Sequence, residues 1–164
     1  MKRIVRLQDS RQPLLMLYRK TWRSKKDWRS LAEDRSLIRN AIEEMLRYDS
    51  PFQMVSRVPM VDDVSIEGQS VQKNKFIAVM VGPANHDETI FNEPEKFDIT
   101  RKDIRHLAFS EGIHFCLGAP LARVEGEIAF NKILDHLKGA KIIEEPKYRG
   151  NFNIRGLEHL KISL

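Results

Sequence analysis

The stretch Phe109-Ser110-Glu111-Gly112-Ile113-His114-Phe115-Cys116-Leu117-Gly118 decides how the rest of this chain is read. It holds the single cysteine of the sequence, set between two glycines and approached by Phe109 and Phe115. A thiolate that binds something needs backbone N–H groups aimed at its sulfur and a main chain able to come close. Gly112 and Gly118 permit that approach, and the two phenylalanines keep water away. A lone cysteine is by itself more often a small buried hydrophobe than a ligand, so the surrounding pattern has to decide. Zinc held by Cys116 and His114 lacks further ligands at usable spacing. A nucleophilic Cys116 lacks any sequence element that would position a base.

Immediately after this stretch Pro120 stands where a first helical turn begins, as its fixed φ allows. Leu121, Val124, Ile128, Ala129, Ile133, Leu134 and Leu137 then recur at helical spacing and predict one apolar face, with Gly139 as the stop. Such a helix turns its positive end toward Cys116, which favours thiolate over thiol.

Upstream, Ser36 is the expected N-cap of a helix running through Arg47, with Leu37, Ile38, Ala41, Ile42, Met45 and Leu46 as its apolar face. Glu44 and Arg47 lie three apart on it, a spacing that by itself predicts a surface ion pair worth at most about 1 kcal/mol. Pro51 ends the helix. Short alternating segments follow at 54–58 and 64–66, Gly68-Gln69 turns a hairpin, and 75–81 is the most apolar strand, closed by Gly82-Pro83. From Ala84 to Leu107 the chain reads as loop. The tail, with Ile142-Ile143, 151–156 and 160–164, predicts a further small sheet.

Phe-x-x-Gly-x-His-x-Cys-x-Gly, together with Glu44-Met45-Leu46-Arg47 and the following Tyr48-Asp49-Ser50-Pro51, closely resembles the cytochrome P450 family, in its soluble bacterial type. The resemblance runs from about Trp28 to Leu164 and corresponds to the C-terminal portion of a family member. It implies a mainly α fold with small β-sheets (α+β), the proximal part of the family's fold and incomplete. It also implies haem b, with Cys116 as the axial thiolate ligand of the iron, and a monooxygenase reaction that inserts one oxygen atom of dioxygen into a small organic substrate. By the same resemblance His114 and Arg57 serve the haem propionates, with His106 a weaker candidate. Gly112 and Gly118 give the loop its shape, Phe109 shields the sulfur, and backbone N–H groups after Cys116 tune it. Glu44 and Arg47 form the family's buried Glu-x-x-Arg pair. Lys96 stands where many members carry an arginine completing that network, so either Arg101 substitutes or the network is weaker. A ferredoxin- or flavodoxin-like electron donor is implied at the proximal face, with Arg105, Arg123 and Lys132 as its contacts. Only 52–58 would line the substrate cavity.

Composition bounds what else the chain can be. The 164 residues suffice for one domain, and 41% hydrophobic with 31% charged residues suits a globular protein. No apolar run approaches a membrane span, and one cysteine excludes an internal disulfide, so a cytoplasmic setting is expected. Of the net charge of +5, the basic excess sits between Lys2 and Arg29, where ten Lys or Arg face only Asp9 and Asp27. The expected division is therefore a basic segment at 1–27 and the family-like part at 28–164. The basic segment carries no base-reading motif or aromatic platform, and neither a nucleic-acid nor a membrane partner is expected.

The family's oxygen-activating helix carries an Ala-Gly-x-x-Thr-like element upstream of Glu-x-x-Arg. No glycine precedes Gly68 here, so that helix is expected to be absent. No catalytic residue is then assigned, and the expectation is a truncated form that holds haem weakly. The alternative is a non-catalytic haem-binding or inert remnant of such an enzyme.

Overall fold

In the computed structural model of the protein, residues 24–137 and 140–163 are described; the basic segment up to Arg23, Lys138, Gly139 and Leu164 lie outside them. Helix α1 (Lys25–Glu33) is capped by Ser24, whose Oγ accepts from the Asp27 N–H at 3.2 Å. Asp34 then begins a 3-10 turn, Arg35–Leu37, that runs straight into α2 (Ile38–Tyr48). The Asp34 carboxylate accepts from both the N–H and the hydroxyl of Ser36, at 2.9 and 2.6 Å. Asp34, not Ser36, is therefore the cap. A carboxylate is the stronger acceptor and its charge suits a helix start, so Ser36 is left to donate.

Beyond Pro51 the chain forms two separate ribbons. Strand β1 (Val55–Arg57) pairs antiparallel with β4 (Ile77–Val79), while β2 (Val64–Ile66) and β3 (Gln69–Val71) form the predicted hairpin. Its turn has positive φ at Glu67 and Gly68, as a tight two-residue hairpin turn requires. The strand expected through Val81 stops at Val79. Val81 instead opens a short helix, α3 (Val81–Ala84), because Pro83 fits a first turn but has no N–H to give a ladder. Residues 85–111 form turns and loops.

Helix α4 (Ala119–His136) begins with Pro120 in its first turn, as predicted. Its buried face matches the predicted one only in part. Of the predicted residues Leu134 is buried and Ile133 and Leu137 pack against a smaller core, whereas Leu121, Val124 and Ile128 are exposed and Ala119, Gly126 and Phe130 are buried in their place. The helix is apolar on two sides, and spacing alone does not say which side the described core covers. Gly126 lets α4 come close to α2: a Cβ there would stand 3.1 Å from Ile42 Cδ1.

The main core gathers Leu31, the apolar face of α2, Ile99, Ala108, Phe130 and Leu134. A smaller core of Ala140, Leu157, Leu160 and Ile162 lies under the ribbon of β5 (Lys141–Ile142) and β6 (Ile162–Ser163), and Trp28 packs against both cores. The architecture is helical with small sheets, as the sequence predicts. Among the described residues no helix is long and apolar enough to cross a membrane.

Candidate functional site

The frame behind the cysteine loop is the Glu44–Arg47 pair. Both side chains are 0% exposed, so the surface pair predicted by spacing alone is overturned. Burying two charges is tolerable only when their remaining bonding capacity is met. Arg47 donates to Glu44 through Nε at 2.7 Å and Nη2 at 2.9 Å, and to the Asn85 carbonyl through Nη1 at 2.8 Å. Its guanidinium also faces the Phe91 ring at 5.2 Å. Glu44 accepts in addition from the Asp98 N–H at 3.0 Å and lies 3.2 Å from Arg101 Nε. The open question about Lys96 is answered. Its ammonium points to Glu93, and Arg101 completes the network.

From this frame two links reach the loop. Asn85, fully buried, donates to Ser50 Oγ at 2.7 Å and accepts from the Leu107 N–H at 2.7 Å, fixing where the loop begins. Glu43 on α2 receives Arg123 of α4 bidentately, at 2.6 and 2.8 Å, and His106 Nε2 at 3.1 Å. Burial pushes the Glu43 carboxyl up, but the hydrogen bonds from Arg123 and His106, with the positive charge of Arg123, outweigh it and hold it at about 2. His106 Nδ1 accepts from the Ala108 N–H at 3.2 Å, so a neutral ring protonated at Nε2 satisfies both bonds. Arg123 also lies 4.8 Å over the Phe109 ring. His106, its side chain almost fully buried, is thus committed to Glu43, whereas Arg123 is held by Glu43 and remains partly exposed.

Phe109 is half-buried against the main core, and its carbonyl accepts from the Cys116 N–H at 2.9 Å. Ser110 and Gly112 both take positive φ, of 61° and 66°. Gly112–His114 makes a 3-10 turn with His114 exposed at its end, and the Ala119 N–H donates to the Cys116 carbonyl at 3.1 Å. Cys116 is exposed. A Cβ at Gly118 would stand 3.8 Å from its Sγ, an ordinary van der Waals contact, so Gly118 adjoins the sulfur without being required as glycine by space alone. Phe115 meets the edge of Phe109 at 6.5 Å between centroids. Arg57 reaches the loop from β1, donating to Ser110 Oγ at 3.0 Å. Arg57, Phe109 and Cys116 therefore meet on one loop. Glu43, Ser110 and Asn85 are the members that sequence reasoning missed, apart from the mark of Asn85 as a loop residue.

The cytochrome P450 family model matches residues 23–147. The chain belongs to the cytochrome P450 family. It is 40% identical over 143 residues to the polyketide biosynthesis cytochrome P450 PksS of Bacillus subtilis (strain 168), covering 85% of this chain and 35% of that protein. It is 41% identical over 134 residues to the biotin biosynthesis cytochrome P450 of the same organism, covering 81% of this chain and 34% of the relative. Among solved structures, P450BioI in complex with a hexadec-9Z-enoic acid-ligated acyl carrier protein superimposes with a TM-score of 0.89. That match has 36% identity and covers 93% of this chain and 40% of the other. The chain spans about a third of the length of these curated relatives. The family is one of haem-thiolate monooxygenases.

The loop's chemistry suits a haem. It offers one soft donor, Cys116, whose side chain is exposed. Around that donor stand apolar side chains given wholly to solvent, Ile113 at 97% and Leu117 at 98% exposed. A thiolate with apolar neighbours fits an apolar planar ligand with a soft metal better than it fits water. Among the described residues no cluster of His, Cys, Asp or Glu offers a rival metal site.

Proposed function

We propose that this chain forms the proximal side of a haem-thiolate monooxygenase site, with Cys116 as the axial ligand of haem b. The observation that carries the reading is an accessible thiol on a loop fastened on one side to buried Asn85 and on the other to the Glu43–Arg123 pair between the two helices. Phe109 and Phe115 flank the exposed sulfur with apolar surface, and Gly112 and Gly118 give the main chain its close approach. Arg57 and His114 hold the two carboxylates of the porphyrin, for which the guanidinium fork of Arg57 is suited. Glu44, Arg47 and Arg101 keep α2 and the following loops in register behind the site. When bound, the haem would supply the activation of dioxygen for insertion of one oxygen atom into a small organic substrate. Electrons arrive from a ferredoxin- or flavodoxin-like donor in the cytoplasm, with Arg105, Arg123 and Lys132 as its contacts.

A second statement concerns this chain by itself, which spans about a third of the length of its curated relatives. Haem surface that these residues leave in water forfeits about 25 cal/mol per Å², so haem is held weakly and coupled turnover is slight. This is the non-catalytic haem-binding reading. Titration of the protein with hemin, reduction and exposure to carbon monoxide tests the assignment. A strongly red-shifted Soret band in the wild type, lost in Cys116→Ala, supports thiolate ligation. A band unchanged by that substitution overturns it. Tight stoichiometric haem retention with substrate-dependent turnover would overturn the weak-binding statement alone.

A further inference from the structure

Ser110 is in the left-handed region at φ 61°, where a residue bearing a Cβ pays steric energy that glycine avoids. Such strain persists where the surroundings impose it, often where the conformation serves a site. What the conformation achieves here is specific. It presents the Ser110 hydroxyl to Arg57 Nη2 at 3.0 Å, across 53 residues of sequence. The same guanidinium donates through Nη1 to its neighbour's carbonyl, Ser56 O, at 2.8 Å. A long side chain on a three-residue strand is thereby held at two points. The Ser110 N–H donates to the Leu107 carbonyl at 2.8 Å, and that residue is itself fixed by Asn85. The hydroxyl is therefore set by the buried frame, and Arg57 is set by the hydroxyl.

We propose that Ser110 is a positioning residue that pre-orients Arg57 for a carboxylate of the haem. The inference rests on the haem reading above and adds to it the residue that holds the arginine. A guanidinium restrained before binding loses less rotational freedom when the carboxylate arrives. Removing the hydroxyl therefore weakens haem binding without touching Cys116.

Hemin titrations of the full chain, followed by the Soret band, test this in wild type, Ser110→Ala, Ser110→Gly, Arg57→Ala and the Ser110→Ala/Arg57→Ala pair. Ser110→Ala is expected to weaken hemin about threefold to tenfold, the range of one net hydrogen bond. Ser110→Gly is expected to weaken it equally while raising the melting temperature, since glycine relieves the strain; a purely structural serine would give a glycine variant that binds no worse. In the Arg57→Ala background the serine substitution is expected to have no further effect. Unchanged or tighter binding by Ser110→Ala, or a full effect without Arg57, overturns the proposal. Absence of a thiolate-type band in the wild type would overturn the haem reading, and the proposal with it. Normal wild-type binding with an indifferent Ser110→Ala overturns the proposal alone.

Discussion

The guanidinium of Arg123 is shared between a carboxylate and an aromatic ring: it grips Glu43 at 2.6 and 2.8 Å and covers Phe109 at 4.8 Å. One cation thus ties α2 to α4 and presses on the ring whose carbonyl holds the Cys116 N–H. The Glu43 carboxyl, held at about 2 against an ordinary value of 4.5, gives the cluster a pH signature. A carboxyl whose pKa is lower folded than unfolded contributes its full stability above the unfolded value, and loses it as pH falls through the folded one. The wild type is expected to lose stability between about pH 4.5 and 2 from this group. Glu43→Gln should be less stable at pH 7 and flatter across that window, as read by urea denaturation at several pH values. Parallel curves for the two proteins would refute the assignment.

The Glu44–Arg47 pair predicts a harsher outcome. Both side chains are fully buried, and removing one partner leaves an uncompensated charge, at a cost of about 3–5 kcal/mol. That approaches the whole stability of a small domain. Arg47→Ala is expected to be unfolded or insoluble at 25 °C by circular dichroism. Arg101→Ala, at the partly exposed edge of the same network, should fold with a loss of about 1–2 kcal/mol.

What was legible beforehand follows from how far each role depends on distant residues. The cysteine loop and Glu-x-x-Arg are runs of residue types at fixed spacing, so the sequence displays them directly. The hairpin is similarly local, although its turn falls at Glu67-Gly68, one residue before the expected Gly68-Gln69. Glu43, Ser110 and Asn85 carry no such mark, because their partners lie 80, 53 and 22 residues away. The choice between Lys96 and Arg101 was visible as a choice only. Spacing succeeded on α4 at Ile133, Leu134 and Leu137 and failed at Leu121, Val124 and Ile128, because an apolar stripe lies on each of two sides of its N-terminal half and the described core covers the other.

Helix α4 meets α2 at Gly126, where a Cβ would lie 3.1 Å from Ile42 Cδ1. Two effects oppose each other in Gly126→Ala. Alanine gains about 1 kcal/mol of helix propensity, and the methyl end of Ile42 has to shift by a few tenths of an ångström. The result is expected to be within about 0.5 kcal/mol of wild type. Gly126→Val adds bulk that Ile42 cannot clear and should cost about 1–3 kcal/mol as overpacking. Denaturation midpoints at constant m separate the two variants.

The uncovered side of α4 bears on solution behaviour. Leu117, Leu121, Val124 and Ile128 recur at intervals of three and four and are all exposed, forming one stripe beside Cys116. Contiguous apolar surface of this kind drives association when nothing else covers it. The chain is expected to self-associate with rising concentration in sedimentation velocity and to enhance the fluorescence of an apolar dye. Replacing Leu121 and Ile128 by lysine removes the middle and the far end of the stripe and leaves the buried face, Ala119, Gly126, Phe130 and Leu134, intact. That double variant should sediment as a monomer with unchanged helical content, because exposed positions contribute little to folding stability. A wild type that stays monomeric at high concentration and binds no dye would mean that the stripe is covered in solution, and that the helix packs differently from the arrangement described above.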